Sequence, residues 1–82
     1  MAKVILYTQK TCGPCQEEKL WLTHQGIAFE ERDIRENNTF FNEAIELGAN
    51  MTPVTLIEAE NGDRTVVHGF DKEALKEALD LQ

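Results

Sequence analysis

Two cysteines separated by a glycine and a proline, Cys12-Gly13-Pro14-Cys15, follow closely on a short apolar run, and that placement limits what the chain can build. Val4–Tyr7 is continuously apolar, as in a strand buried on both faces of a sheet. Beyond Pro14 the sequence reads as a helix to about Gln25, with Gly26 placed for the left-handed residue that closes a helix. The cysteines therefore fall at a strand-to-helix turn. Unpaired N–H groups and the positive end of the helix dipole face outward there.

The remaining chain supplies elements that fit around this turn. "IAFEERDI" (Ile27–Ile34) reads as a second, more exposed strand. Asn38 or Thr39 is placed to cap a second helix, with Phe40, Phe41, Ala44 and Ile45 along one core-facing side and Gly48 at its end. "VTLIEAE" and "RTVVH" flank Asn61-Gly62, a hairpin signal because both residues tolerate positive φ. Asp71 is placed to cap a last helix carrying Ala74, Leu75, Ala78 and Leu79. The order is βαβαββα. A parallel crossover followed by an antiparallel hairpin predicts an α/β fold, a four-stranded mixed sheet with three helices on its two faces. With 82 residues and neither repeat nor linker, one domain over residues 1–82 is expected.

Charge narrows the partners. Fifteen acidic residues against eight basic ones give a net charge of −7, which disfavours nucleic-acid backbones and anionic membranes. No apolar stretch is long enough to span a bilayer, and "MAKVILYT" lacks the pattern of a secretory leader. The expectation is a cytoplasmic protein. In that compartment vicinal thiols are kept reduced, which disfavours a permanent structural bridge.

A dithiol at a helix start suits disulfide exchange. The dipole lowers the pKa of Cys12 and favours its thiolate, Pro14 pre-sets the first turn, and Gly13 leaves the sulfur open to approach. Cys15, three residues on, lies within reach of Cys12. Cys12 is then the nucleophile that forms a mixed disulfide, and Cys15 the thiol that resolves it. Zinc would need ligands beyond the two cysteines, and His24 and His68 fall on poorly convergent elements. The alternative reading is a metal- or iron–sulfur-binding module, its cluster shared between two chains. Pro53 raises a second point, since a proline entering a strand must lie at a bulge, an edge or a special turn. A cis Thr52–Pro53 bond would turn the Thr52 backbone toward the sulfur, ready to pair with an extended substrate; a trans proline opening the strand is the plainer alternative. Tyr7 is expected in the core with its hydroxyl near the site. Trp21 is read as packing, Phe40 and Phe41 as core, and Glu17, Glu18 and Lys19 as mostly solvated.

These residues resemble the glutaredoxin-like branch of the thioredoxin-fold superfamily, especially NrdH-type redoxins that reduce ribonucleotide reductase. The resemblance rests on Leu6–Thr8, the CxxC followed by Lys19 and Leu22, Gly26–Ile34, "LGANMTPV" at Leu47–Val54, and Gly69-Phe70 before the last helix. It implies that the Thr52–Pro53 bond is cis. It also implies a substrate surface of Tyr7, Gln9, Lys10, Thr11, Gly13, Pro14, Met51, Thr52, Pro53, Gly69, Phe70 and Asp71 around Cys12 and Cys15. Departures concern the substrate. Gln9 stands where many glutaredoxins place a glutathione-binding lysine, with Lys10 one step later. Thr11 replaces the tryptophan of thioredoxins, and Thr52 replaces a common valine. Phe70-Asp71-Lys72 replaces a small residue followed by two aspartates. The resemblance implies a monomeric thiol–disulfide oxidoreductase and electron carrier with no bound cofactor. Its electrons would come from thioredoxin reductase or glutathione and pass to a protein disulfide, such as that of ribonucleotide reductase.

Overall fold

The structure, a computed structural model, describes residues 2–81. In chain order its elements are β1 (Lys3–Thr8), α1 (Gly13–His24), β2 (Glu30–Asp33), α2 (Asn38–Glu46), β3 (Val54–Glu58), β4 (Arg64–His68) and α3 (Lys72–Ala78). They form the predicted four-stranded mixed sheet, in the order β2-β1-β3-β4. β1 runs parallel to β2 and antiparallel to β3, so the apolar Val4–Tyr7 run occupies an interior strand. Strand pleating then divides the core in two. Ile5 and Tyr7 pack with Val54, Leu56 and Ala44 of α2 on one face; Val4 packs with Ile57, Val67 and Leu75 of α3 on the other. Trp21 of α1 joins the second cluster, so α1 and α3 share a face and α2 covers the opposite one.

Each helix closes the same way. The residue after the C-cap takes positive φ at Gly26 (73°), Gly48 (86°) and Asp80 (57°). In each case the next two N–H groups return to the last turn: Gly26 to Thr23 O and Ile27 to Leu22 O after α1, Gly48 to Ile45 O and Ala49 to Ala44 O after α2, Asp80 to Glu77 O and Leu81 to Lys76 O after α3. Asp80 alone of the three carries a side chain in this left-handed region, where L-residues are disfavoured. Asp80→Gly is therefore expected to stabilise the protein by up to about 1 kcal/mol, measurable by urea denaturation.

Two element boundaries differ from those expected. β2 begins at Glu30 rather than at Ile27, because the Ile27 N–H is already used by Leu22 in closing α1. The cap of α2 is Asn37, one residue before the expected pair, with its side chain accepting from Thr39 N–H at 2.8 Å. β3 ends at Glu58; a five-residue loop follows, closed by Ala59 N–H donating to Asp63 O at 2.8 Å, with positive φ at Gly62 alone. A further correction concerns α2. Ala44 is its buried contact, while Phe41 and Ile45 are 45% and 52% exposed. Phe40 is half-buried with the Arg32 guanidinium 5.4 Å from its ring, so the aromatic pair is not core. Among the described residues no helix is long and apolar enough to cross a membrane.

Candidate functional site

β1 ends at Thr8 and α1 starts at Gly13, which brings Cys12 to the N-cap of the helix. Its Sγ accepts the Cys15 N–H at 3.1 Å, the position an N-cap oxygen ordinarily takes. Gly13 and Pro14 form the exposed first turn, where the missing N–H of proline costs nothing. Cys12 and Cys15 are joined by a disulfide with Cα atoms 5.2 Å apart. The two sulfurs are not equivalent, since Cys15 is fully buried and Cys12 only partly.

The second wall comes from the residues that enter β3. The Thr52–Pro53 bond is cis. The Thr52 carbonyl oxygen lies 3.6 Å from Cys12 Sγ, so the backbone of this residue directly borders the sulfur. Gly69 N–H donates to Pro53 O at 2.8 Å, which ties the end of β4, and with it Gly69-Phe70, to this wall. Beside it runs an open groove of about 620 Å³, bounded by Gln9, Arg35, Phe41, Ile45, Met51 and Thr52. Met51 is 65% exposed and continues the apolar strip of Phe41 and Ile45 toward Thr52. Gln9 bridges the groove, donating to Thr52 Oγ1 at 3.2 Å and accepting from Arg35 Nε at 3.0 Å.

Other expected site residues have different partners. The Tyr7 hydroxyl is held on the α2 face, 2.9 Å from Glu43 Oε1 and 3.4 Å from Arg32 Nη1. Burial, then the Glu43 carboxylate, raises its pKa above the ordinary tyrosine value. Lys10 pairs with Glu36 at 3.4 Å, and Thr11 is exposed beside it. Phe70 packs edge-on against Trp21 with ring centroids 6.2 Å apart, and Lys72 Nζ lies 5.7 Å from the Phe70 ring. Asp71 caps α3 through Oδ1, which accepts Ala74 N–H at 3.1 Å. His24 and His68 are both exposed, and among the described residues no group of three or more His, Cys, Asp or Glu is placed to hold a metal.

The sequence reading missed Glu18. It was expected in solvent, yet it is fully buried on the underside of α1, between Cys15 and Leu22, which are also fully buried. Thr55 of β3 donates to Glu18 Oε2, while Oε1 has no hydrogen-bond partner among the described residues. Burial pushes its carboxyl pKa up to about 7, against a smaller lowering by the Thr55 hydrogen bond. The signal was present in the i, i+3, i+7 spacing of Cys15, Glu18 and Leu22, which puts all three on one face. Arg35 was missed too, and its position after β2 gave no sign that it would reach Gln9.

Residues 4–60 match the glutaredoxin family. The chain is 37% identical to the glutaredoxin-like protein NrdH of Lactococcus lactis subsp. lactis over 51 residues, 62% of this chain and 71% of the relative. Among solved structures it resembles the thioredoxin-like protein BC3987, with a TM-score of 0.80 and 32% identity over 93% of this chain and 99% of that one. It also resembles a glutaredoxin from Archaeoglobus fulgidus, with a TM-score of 0.74 and 25% identity over 96% and 87% of the two chains.

Proposed function

The chain belongs to the glutaredoxin family, and on that footing we propose that it is a thiol–disulfide reductase that carries two electrons from a reductase to protein disulfides. The observation that carries this reading is the placement of Cys12 Sγ at the N-cap of α1, taking the Cys15 N–H. A thiolate in that position gains a charge-assisted hydrogen bond and the helix dipole, which together depress its pKa. As the thiolate, Cys12 attacks a partner disulfide; one partner sulfur leaves as a thiolate and takes up a proton from water. Cys15, deprotonated, then attacks Cys12 Sγ, forms the Cys12–Cys15 bond and releases the second partner sulfur, completing a two-electron transfer. The Thr52 backbone, beside Cys12, is placed to pair with an extended segment of the partner as a short added strand.

The groove supports a protein as substrate. Phe41, Ile45 and Met51 offer exposed apolar surface next to Thr52, which suits a partner's side chains on either side of its cystine. Three features favour thioredoxin reductase over glutathione as electron donor. Gln9 is already engaged by Arg35 and Thr52, Lys10 is paired with Glu36, and the Asp71 carboxylate is used as a cap. Ribonucleotide reductase is the acceptor that the likeness to an NrdH protein suggests, and the cytoplasm is the compartment this cycle requires.

A split reduction of the oxidised protein tests the donor. One portion receives NADPH with thioredoxin reductase, the other reduced glutathione, and free thiols are counted with time. Fast reduction by the reductase and slow reduction by glutathione is the expected pattern. The reverse pattern would assign the protein to the glutathione system.

A further inference from the structure

Glu18 has no part in the exchange steps as described, yet its setting is unusual for a carboxyl group. It is fully buried, it points one oxygen at Thr55, and it leaves the other without a partner among the described residues. An unpaired buried polar atom is costly, and an apolar side chain would remove that cost. The group lies one helical turn from Cys15, on the same covered face of α1, where side chains three residues apart are neighbours. Cys15 must lose a proton each time it resolves a mixed disulfide, and it is fully buried, out of reach of bulk solvent.

Resting on the reductase reading above, we propose that Glu18 is the internal proton acceptor for Cys15. In the resolving step the Cys15 S–H proton passes to the Glu18 carboxylate. The Cys15 sulfur attacks Cys12 Sγ, the Cys12–Cys15 bond forms, and the bond from Cys12 to the partner breaks. The electron pair leaves with the partner's sulfur, which takes a proton from water. Glu18 is then neutral beneath the disulfide. When a donor later reduces the pair, the proton returns to Cys15 as its sulfur leaves. Electrons and protons balance, and no further reactant is needed.

The surroundings leave this role to Glu18. On β2, Glu31 is held by Lys19 of α1 at 3.1 Å and by the Thr8 hydroxyl of β1 at 2.8 Å. The residues paired in register with Thr55 are Leu6 on β1 and Val67 on β4, both apolar. From α3, Leu75 is the buried contact, and Lys72 is placed over Phe70. Burial raises the pKa of Glu18 and the Thr55 hydrogen bond lowers it by less, with no neighbouring charge among the causes. A carboxyl near neutrality is well matched to exchanging a proton with a thiol.

The test follows both chemical steps in one trace. Reduced protein is mixed in a stopped-flow instrument with dithiobis(nitrobenzoate), a chromogenic disulfide. The first coloured thiolate reports attack by Cys12, the second resolution by Cys15. In Glu18→Gln, which keeps the shape and an acceptor for Thr55, the first phase should be unchanged. The second should be slower by about 100-fold or more near neutrality. The deficit should close well above the ordinary thiol pKa of about 8.5, where Cys15 ionises unaided. Thr55→Val, which retains the carboxyl and removes the bond that lowers its pKa, should move the pH inflection of the second phase upward. Second phases of wild type and Glu18→Gln that coincide across the pH range would overturn the inference. A wild type with no first phase would overturn the reductase reading itself.

Discussion

Cys12→Ser is expected to reduce disulfide reductase activity to the uncatalysed background. A serine at the N-cap of α1 accepts the Cys15 N–H as well as sulfur does, so the helix and the fold should be kept. What disappears is the nucleophile, because a hydroxyl does not ionise at neutral pH and the thiolate is the species that attacks. Cys15→Ser separates the two roles. It leaves Cys12 able to attack but removes the thiol that would release the partner, so a mixed disulfide through Cys12 should accumulate and be visible by mass spectrometry. Turnover by Cys15→Ser at the wild-type rate, without that adduct, would show that the roles are assigned wrongly. The different exposure of the two sulfurs makes the assignment directional, since a partner cystine can approach only the partly exposed Cys12.

Glu18 should also leave a mark on stability. Its pKa rises from 4.5 to about 7 on folding, so between these values the folded protein holds a proton that the unfolded chain has released. Stability from this group is therefore fully present below about pH 4.5 and is lost as pH rises through about 7. At 1.36 kcal/mol per pKa unit, the loss by pH 8 is about 3 kcal/mol. Urea denaturation of the oxidised wild type should show this decline, and Glu18→Gln should flatten it and be the more stable protein at pH 8. Glu30 does not confuse the measurement. Its hydrogen bond from Arg32 lowers its pKa, so its contribution is lost only on the acid side, as pH falls through that lowered value. A wild-type curve that stays level from pH 5 to 8 would mean that Glu18 is not a buried carboxyl of this kind.

Much of the fold was legible because local signals agreed with one another. Continuous apolarity at Val4–Tyr7 marked an interior strand, Gly26 and Gly48 marked helix ends, Asp71 marked a cap, and Asn61-Gly62 marked the turn between β3 and β4. The cis bond before Pro53 was legible through family resemblance, since residue preference alone favours trans. What stayed hidden depended on tertiary contact. Phe41 and Ile45 follow a helical period, but a short α2 buries only the stripe around Ala44, and its neighbours are left to line the groove. Glu18 was hidden for the converse reason. A charged residue in an amphipathic helix reads as solvated, and only the placement of Thr55 opposite it shows why it stays beneath the sheet-facing side. Tyr7 was placed correctly in the core, yet its hydroxyl meets Glu43 and Arg32, partners distant in sequence.

The central claim is that Cys12 and Cys15 exchange electrons with protein disulfides, and one stoichiometric measurement addresses it. The fully reduced protein is incubated anaerobically with excess insulin, then both species are alkylated and their thiols counted by mass spectrometry. The account predicts one Cys12–Cys15 disulfide formed for each insulin disulfide opened, with no lasting adduct on the wild type. A cysteine pair that remains reduced while insulin stays intact would contradict it.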